Sequence, residues 1–187
     1  RAIEFYTQLT IRPETGARSA NWGRGAHTAI RAVRLLDAAG GPAPHYTPGT
    51  ALRVEVVFET DGQSGLSLEV LLLDATRSKL ALASIYQFHG QSLPKEAGAY
   101  VCVLDLTPLW LASGQYSIDV TTSSINSSWD HYVESATEFE VPFSNPLGYS
   151  LDFKQSYGYG VLALLCTSPV RCDQIQQERP NSNLRGP

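Results

Sequence analysis

From Leu52 to Glu59 the chain alternates with period two. Leu52, Val54, Val56 and Phe58 fall on one side, and Arg53, Glu55, Val57 and Glu59 on the other. A helix cannot sort side chains this way. A strand with one face in a core and one toward solvent does. The pattern recurs in LSLEVLLLDA, with Leu66, Leu68, Val70 and Leu72 on one face. GAYVCVLDLTPL gives Tyr100, Cys102, Leu104 and Leu106, and SGQYSIDVTTSS gives Tyr116, Ile118 and Val120. HTAIRAVRLLDAAG, flanked by glycines, reads as a further strand with a bulge, and LALASIYQF (80–88), ATEFEVPF and YGVLALLC complete the set. These are about eight strands, joined by connections too short for crossover helices. The expectation is an all-β antiparallel two-sheet sandwich, immunoglobulin-like or jelly-roll-like. Its expected core is Leu52, Val54, Phe58, Leu66, Leu68, Val70, Tyr100, Cys102, Leu104, Tyr116, Ile118, Phe139 and Val141. A one-residue slip in any strand would turn that core outward.

At 187 residues, 43% hydrophobic and 17% charged, the chain has material for one domain with a sizeable core. Its net charge of −4 argues against a nucleic-acid partner, which requires a basic face. No apolar run is long enough for a membrane-spanning helix, and no signal peptide is visible. Methionine is absent, even from position 1, so the expectation is a piece of a longer protein. Residues 1–10 suit the last turns of a helix, and 11–21 have linker composition. The sandwich is expected over 22–168, with a polar tail over 169–187.

Few residues offer chemistry. No GxxxxGK[ST] phosphate loop is present. Gly62-Gln63-Ser64-Gly65 reads as a hairpin turn rather than a nucleophile elbow. His27, His45, His89 and His131 lack metal-ligand spacing, so neither metal nor cofactor is expected. Cys102 reads as a small buried hydrophobe, while Cys166 and Cys172 read as free thiols in a reducing compartment, with a pairing left open. A glycosidase would need two facing carboxylates, and Glu55 with Asp119 on one outer face is the pair to consider; solvated strand faces carry such charges routinely.

Aromatic and polar residues remain. SIYQFHGQS (84–92) gathers Tyr86, Gln87 and His89. SINSSWDHYVES (124–135) gathers Asn126, Trp129, Asp130, His131 and Tyr132. Both read as loops or strand ends. Flat aromatic faces pack on the C–H faces of a pyranose, while Asn, Asp, Gln and His pair with its hydroxyls. These eight residues are the candidate carbohydrate site. The competing expectation is that Trp129 plugs the end of the sandwich.

The order of the pieces resembles a family. WGRGAHTAIRAVRLLDAAGGPAPHYTPGTALRVEVVFE is similar to the opening of a Wzt-type C-terminal domain, which ends the nucleotide-binding subunit of ABC transporters exporting O-antigen polysaccharide. The family pattern of a G-x-G-x-A-x-I opening, an LLDxxG strand end and an xxGxxLxLxVxF strand falls on Gly23, Gly25, Ile30, Leu35-Leu36-Asp37, Gly40 and Gly49 through Phe58. LASGQYSIDV resembles its LxPGxYxLxV strand, and ATEFEVPF its xxxFxV ending. AIEFYTQLT resembles the helix that closes the ATPase domain of such subunits. Where the family often shows a G-x-N-T turn, this chain has Ser84-Ile85-Tyr86-Gln87. The resemblance covers about residues 22–165.

It implies a non-catalytic module that recognises the non-reducing end of a completed O-antigen polysaccharide. It also implies a cytoplasmic protein at the inner membrane, a full-length ABC-type ATPase, a homodimer and a transmembrane permease partner. C-terminal strands exchanged between subunits fit the same expectation. The alternatives are a dimerisation or structural sandwich without a glycan site, and a sugar-processing enzyme. The segment GVLALLC, apolar on both faces, is expected as a late strand that helps form the dimer contact with the rest of 139–165.

Overall fold

The computed structural model describes residues 22–165, apart from 38, 126, 147, 149–151 and 159. The segments 1–21 and 169–187, with Cys166 and Cys172, lie outside the described residues. Seven strands form two antiparallel sheets: β1 (Thr28–Leu36), β2 (Leu52–Thr60), β3 (Leu66–Asp74), β4 (Lys79–Ser84), β5 (Gly98–Leu106), β6 (Gly114–Ser124) and β7 (Trp129–Val141). One sheet has the order β1-β2-β5, the other β4-β3-β6-β7. The chain changes sheet after β2, after β4 and after β5, the interleaving of an immunoglobulin-like sandwich. The turn at Gly62–Gly65 therefore does not close a hairpin. It carries the chain from one sheet to the other, with Gly62 and Gly65 in the left-handed region.

The alternating residues meet between the sheets. Val54, Val56 and Phe58 face Leu66, Leu68, Ile118 and Val120, all within one buried cluster. Tyr116 stacks on Phe139 at 5.4 Å, and Tyr46 meets Phe139 edge-on at 6.0 Å. Ten of the thirteen expected core residues are buried. Tyr100, Cys102 and Leu104 are the exceptions, packed against the core but only half-buried. The reason is position. β5 is the free edge of the three-stranded sheet, so its inward face has a neighbour on one side only.

Two expectations about elements are corrected, and a third is decided between its two alternatives. The run 80–88 is not one strand: β4 ends at Ser84 and a short helix, α1 (Ile85–His89), follows. Ser84 caps it by accepting from the Gln87 N–H, and Gly90 closes it in the left-handed conformation at φ 66°. Of the two expectations for 129–135, loop or strand end, the structure shows the second: it is the first half of β7, a 13-residue strand broken by two register shifts. Residues 160–165 form no sheet strand. Leu162 makes a single bridge with Leu111, and Leu162, Leu164 and Leu165 are exposed.

One long side of the sandwich is stitched where β1 meets β7. As a sheet edge, β1 has backbone N–H groups without strand partners. Asp130, in the first irregularity of β7, accepts from the His27 N–H at 3.0 Å, the Thr28 N–H at 2.8 Å and the Thr28 hydroxyl at 2.5 Å. His131 Nδ1 accepts from the Ile30 N–H at 2.9 Å. Its proton therefore sits on Nε2, which donates to the Trp22 carbonyl at 3.0 Å. The chain must pass close by Asp130 to make these bonds. A Cβ on Gly25 would lie 2.3 Å from the Asp130 carbonyl oxygen, so glycine is required there.

Candidate functional site

The strand register lays out the outer face of the four-stranded sheet in rows. Ser67, Ser123 and Trp129 form one row; Ser84, Glu69, Thr121 and Tyr132 the next; Leu82, Leu71 and Asp119 the third; Leu73, Ser117 and Glu138 the fourth. Solvated strand faces are normally indifferent to their charges, but this one is not. Asp119 is fully buried although it points away from the core.

What buries it is a clasp built from three elements. Arg77, in the β3–β4 turn, reaches over the sheet and grips Asp119 with two nearly parallel bonds of 2.9 Å. The same guanidinium donates to Ser117 Oγ at 3.0 Å, Ser135 Oγ at 2.8 Å and Glu134 Oε1 at 2.9 Å. Asp119 also accepts from the Ser135 N–H at 2.8 Å and from the Tyr132 hydroxyl. A buried carboxylate survives when all its lone pairs are used, and here they are. Two non-glycine residues take left-handed backbone to complete the clasp, Arg77 at φ 66° and Ser135 at φ 45°. Such strain collects where the surroundings demand a fixed geometry. Ser135 sits in the second irregularity of β7, where the strand bulges opposite Asp119.

The clasp holds an aromatic platform. Tyr132 is pinned through its hydroxyl, and Trp129 stacks on it with ring centroids 4.8 Å apart and planes 19° from parallel. Burial, and then the neighbouring Asp119 carboxylate, push the Tyr132 hydroxyl up to about 12, so it remains a donor. Trp129 is 62% exposed, and the Lys79 ammonium lies 5.8 Å from the indole centre. Trp129 therefore does not plug the sandwich. Beside the platform, Ser123 donates to Glu69 at 2.9 Å and Ser84 to the other Glu69 oxygen at 3.3 Å. Ser67 Oγ on the same face is buried without a hydrogen-bond partner.

The eight expected site residues divide into three groups. Trp129 and Tyr132 come together in the platform. Tyr86, Gln87 and His89 lie on α1 at the β4 edge, exposed, with two strands between them and β7. That separation is roughly 14 Å at ordinary strand spacing. Asp130 and His131 do not face the platform but hold β1 to β7, as above, and Asn126 lies outside the described residues. Glu55 and Asp119 do not share a face: they project from opposite outer sides of the sandwich, which removes the facing carboxylate pair. Among the described residues no group of three or more His, Cys, Asp or Glu is arranged to hold a metal ion, and no helix is long and apolar enough to cross a membrane.

Arg77, Lys79, Glu134 and Ser135 were not visible as site residues. Arg77 meets Asp119 across 42 positions through the geometry of one turn. The one available signal was Asp119 itself, a carboxylate between Ile118 and Val120 in the middle of an apolar strand.

No family model matches the chain, and no curated protein matches it. Among solved structures it is similar to a crystal structure of the C-terminal domain of Wzt, with a TM-score of 0.62 over 86% of this chain and 90% of that one, at 17% identity. At that identity the likeness is one of fold.

Proposed function

We propose that this domain is a non-catalytic glycan-binding module that recognises the non-reducing end of a completed O-antigen polysaccharide for export by an ABC transporter. The observation that carries the reading is the exposed Trp129 face, held flat on Tyr132 by a fully buried carboxylate. An aromatic ring kept rigid in solvent is preorganised for a pyranose face. The similarity in fold to the C-terminal domain of Wzt supports the same reading. In this setting the chain belongs to a cytoplasmic, membrane-peripheral ATPase subunit. Residues 1–21 end its preceding domain and linker, 22–168 form the module, and 169–187 are a polar tail. It works as a homodimer beside a transmembrane permease. Tyr86, Gln87 and His89 extend the site along the β4 edge, and Asn126 contributes to it. No cofactor or metal enters.

Recognition before export has to be reversible, so the affinity expected is in the range of about 1 µM to 1 mM. Titration of the source organism's own O-polysaccharide into the protein, followed by calorimetry and tryptophan fluorescence, tests the reading. Saturable binding in that range supports it; none at millimolar chain ends overturns it. A second reading, a dimerisation module without a glycan site, draws on Val101 and Val103, which are 40% and 49% exposed on the free edge strand β5. A concentration-dependent dimer that ignores the polysaccharide would favour it.

A further inference from the structure

We infer that the sugar taken by this face is uncharged, and that the face discriminates against acidic sugars such as uronates. The inference rests on the glycan reading above and concerns the chemistry of that same site.

Among the described residues, the outer face of the four-stranded sheet carries two cations, Arg77 and Lys79, against five carboxylates, Glu69, Asp119, Glu134, Glu138 and Glu140. Arg77 is not available to an anionic ligand. Its guanidinium is committed to Asp119, Glu134, Ser117 and Ser135, and Asp119 holds it firmly in the charged form. Releasing it would leave Asp119 buried and unpaired, which costs far more than a surface ion pair returns. Glu69 is nearly buried, and the two groups that donate to it are serine hydroxyls rather than cations. Ser123 sets it next to the row along which a sugar on Trp129 would extend.

Among the described residues Lys79 is the one cation beside the platform, and the carboxylates of the face outnumber it. A sugar carboxylate on Trp129 would meet Lys79 together with Asp119, which the Tyr132 hydroxyl ties to the platform, and charges on this face act over a Debye length of about 10 Å at 0.1 M salt. Neutral hydroxyls meet a different surface. The half-buried Ser123 hydroxyl and exposed carboxylates such as Glu134 accept hydrogen bonds from them.

The test uses matched methyl glycosides that differ only at C6. Methyl glucopyranoside is compared with methyl glucuronopyranoside, and the galacto and manno pairs likewise. The readout is the Trp129 indole N–H signal in nuclear magnetic resonance titrations at low and at physiological salt. The neutral member of at least one pair is expected to shift that signal with a millimolar dissociation constant. Its acidic partner is expected to bind about tenfold more weakly at low salt, the gap narrowing as salt rises. Glu138→Gln, on the rim and outside the clasp, should strengthen the acidic partner about two- to threefold and leave the neutral one unchanged. Equal or tighter binding of the acidic member overturns the inference while the glycan reading stands. Loss of that binding in Lys79→Ala would then assign Lys79 as an anion anchor. If no glycoside of any pair moves the signal, the glycan reading fails and the inference with it.

Discussion

The two outer faces of this sandwich use similar residues in opposite ways. On the three-stranded sheet, charges pair directly across neighbouring strands: Arg31 with Glu59 at 2.7 Å, Arg53 with Asp105 at 2.5 Å and, more loosely, Arg34 with Glu55 at 3.6 Å. Arg31, Glu59, Arg53 and Asp105 all retain substantial exposure. Each pair is a local matter between two strands, worth little individually. On the four-stranded sheet, one arginine from a turn ties two strands and a bulge to a carboxylate with no exposure at all, and an aromatic pair rests on the result. Apart from the nearly buried Glu55, the first face is an ordinary solvated surface. The second has accepted buried charge and backbone strain, and what it gains is a tryptophan held rigid in water.

That contrast can be broken by removing one acid from each face. Asp119→Ala strands the Arg77 guanidinium and frees the Tyr132 hydroxyl, and should cost about 3 kcal/mol in urea unfolding. Asp105→Ala should leave the unfolding midpoint where it is, since its arginine partner simply returns to water. Equal effects would mean that the two faces are energetically alike.

The seam between the sheets gives a pH test. Partial burial pushes the Asp130 carboxyl up, but hydrogen bonds from the Thr28 hydroxyl and from the His27, Thr28 and Ala26 N–H groups outweigh it and hold its pKa below the usual carboxylate range. A carboxyl lowered by folding stabilises the folded state above its unfolded pKa of about 4, and loses that contribution as the pH falls through the folded value. Acidification below about pH 4 should therefore accelerate amide exchange at His27 and Thr28 before it does so in the β3–β6 centre. Asp130→Asn should exchange faster at neutral pH and respond less to acid. A wild-type seam that stays protected to the acid midpoint of global unfolding would argue against this role.

Smaller still is Tyr132→Phe. It keeps the stacking surface and removes one hydrogen bond to Asp119, at about 1 kcal/mol. It should also loosen Trp129, seen as a weakened near-ultraviolet circular dichroism signal at unchanged far-ultraviolet signal. An unaltered tryptophan signal would mean that the ring is fixed by stacking alone.

The sandwich was legible because burial alternates with the pleat, and Leu52–Phe58 or Tyr116–Val120 announce it without help. The limits were equally physical. Tyr100, Cys102 and Leu104 alternate as well as any core strand, yet alternation does not tell an edge strand from a central one. β7 was only half legible because two bulges interrupt its period, which split one strand into a stretch read as loop or strand end and a short strand. The α1 helix was signalled and overlooked: Ser84, Gln87 three residues later and Gly90 are a capping box and a left-handed stop. Within the site, Trp129 and Tyr132 could be named from residue type. The clasp beneath them could not, because its residues, from Arg77 to Ser135, converge only once the turn and the bulge have formed.

The central claim is that the Trp129 platform, and not the sandwich surface in general, binds the polysaccharide. The direct measurement is calorimetric titration of the organism's O-polysaccharide into wild type, Trp129→Ala and Val103→Ala, with the thermal midpoint of each recorded. Trp129→Ala should fold normally, because the ring is mostly exposed, and lose about tenfold or more in affinity, the 1–3 kcal/mol of a stacking anchor. Val103→Ala, on the opposite face, should bind as wild type does. A folded Trp129→Ala protein that binds as tightly as wild type would contradict the account.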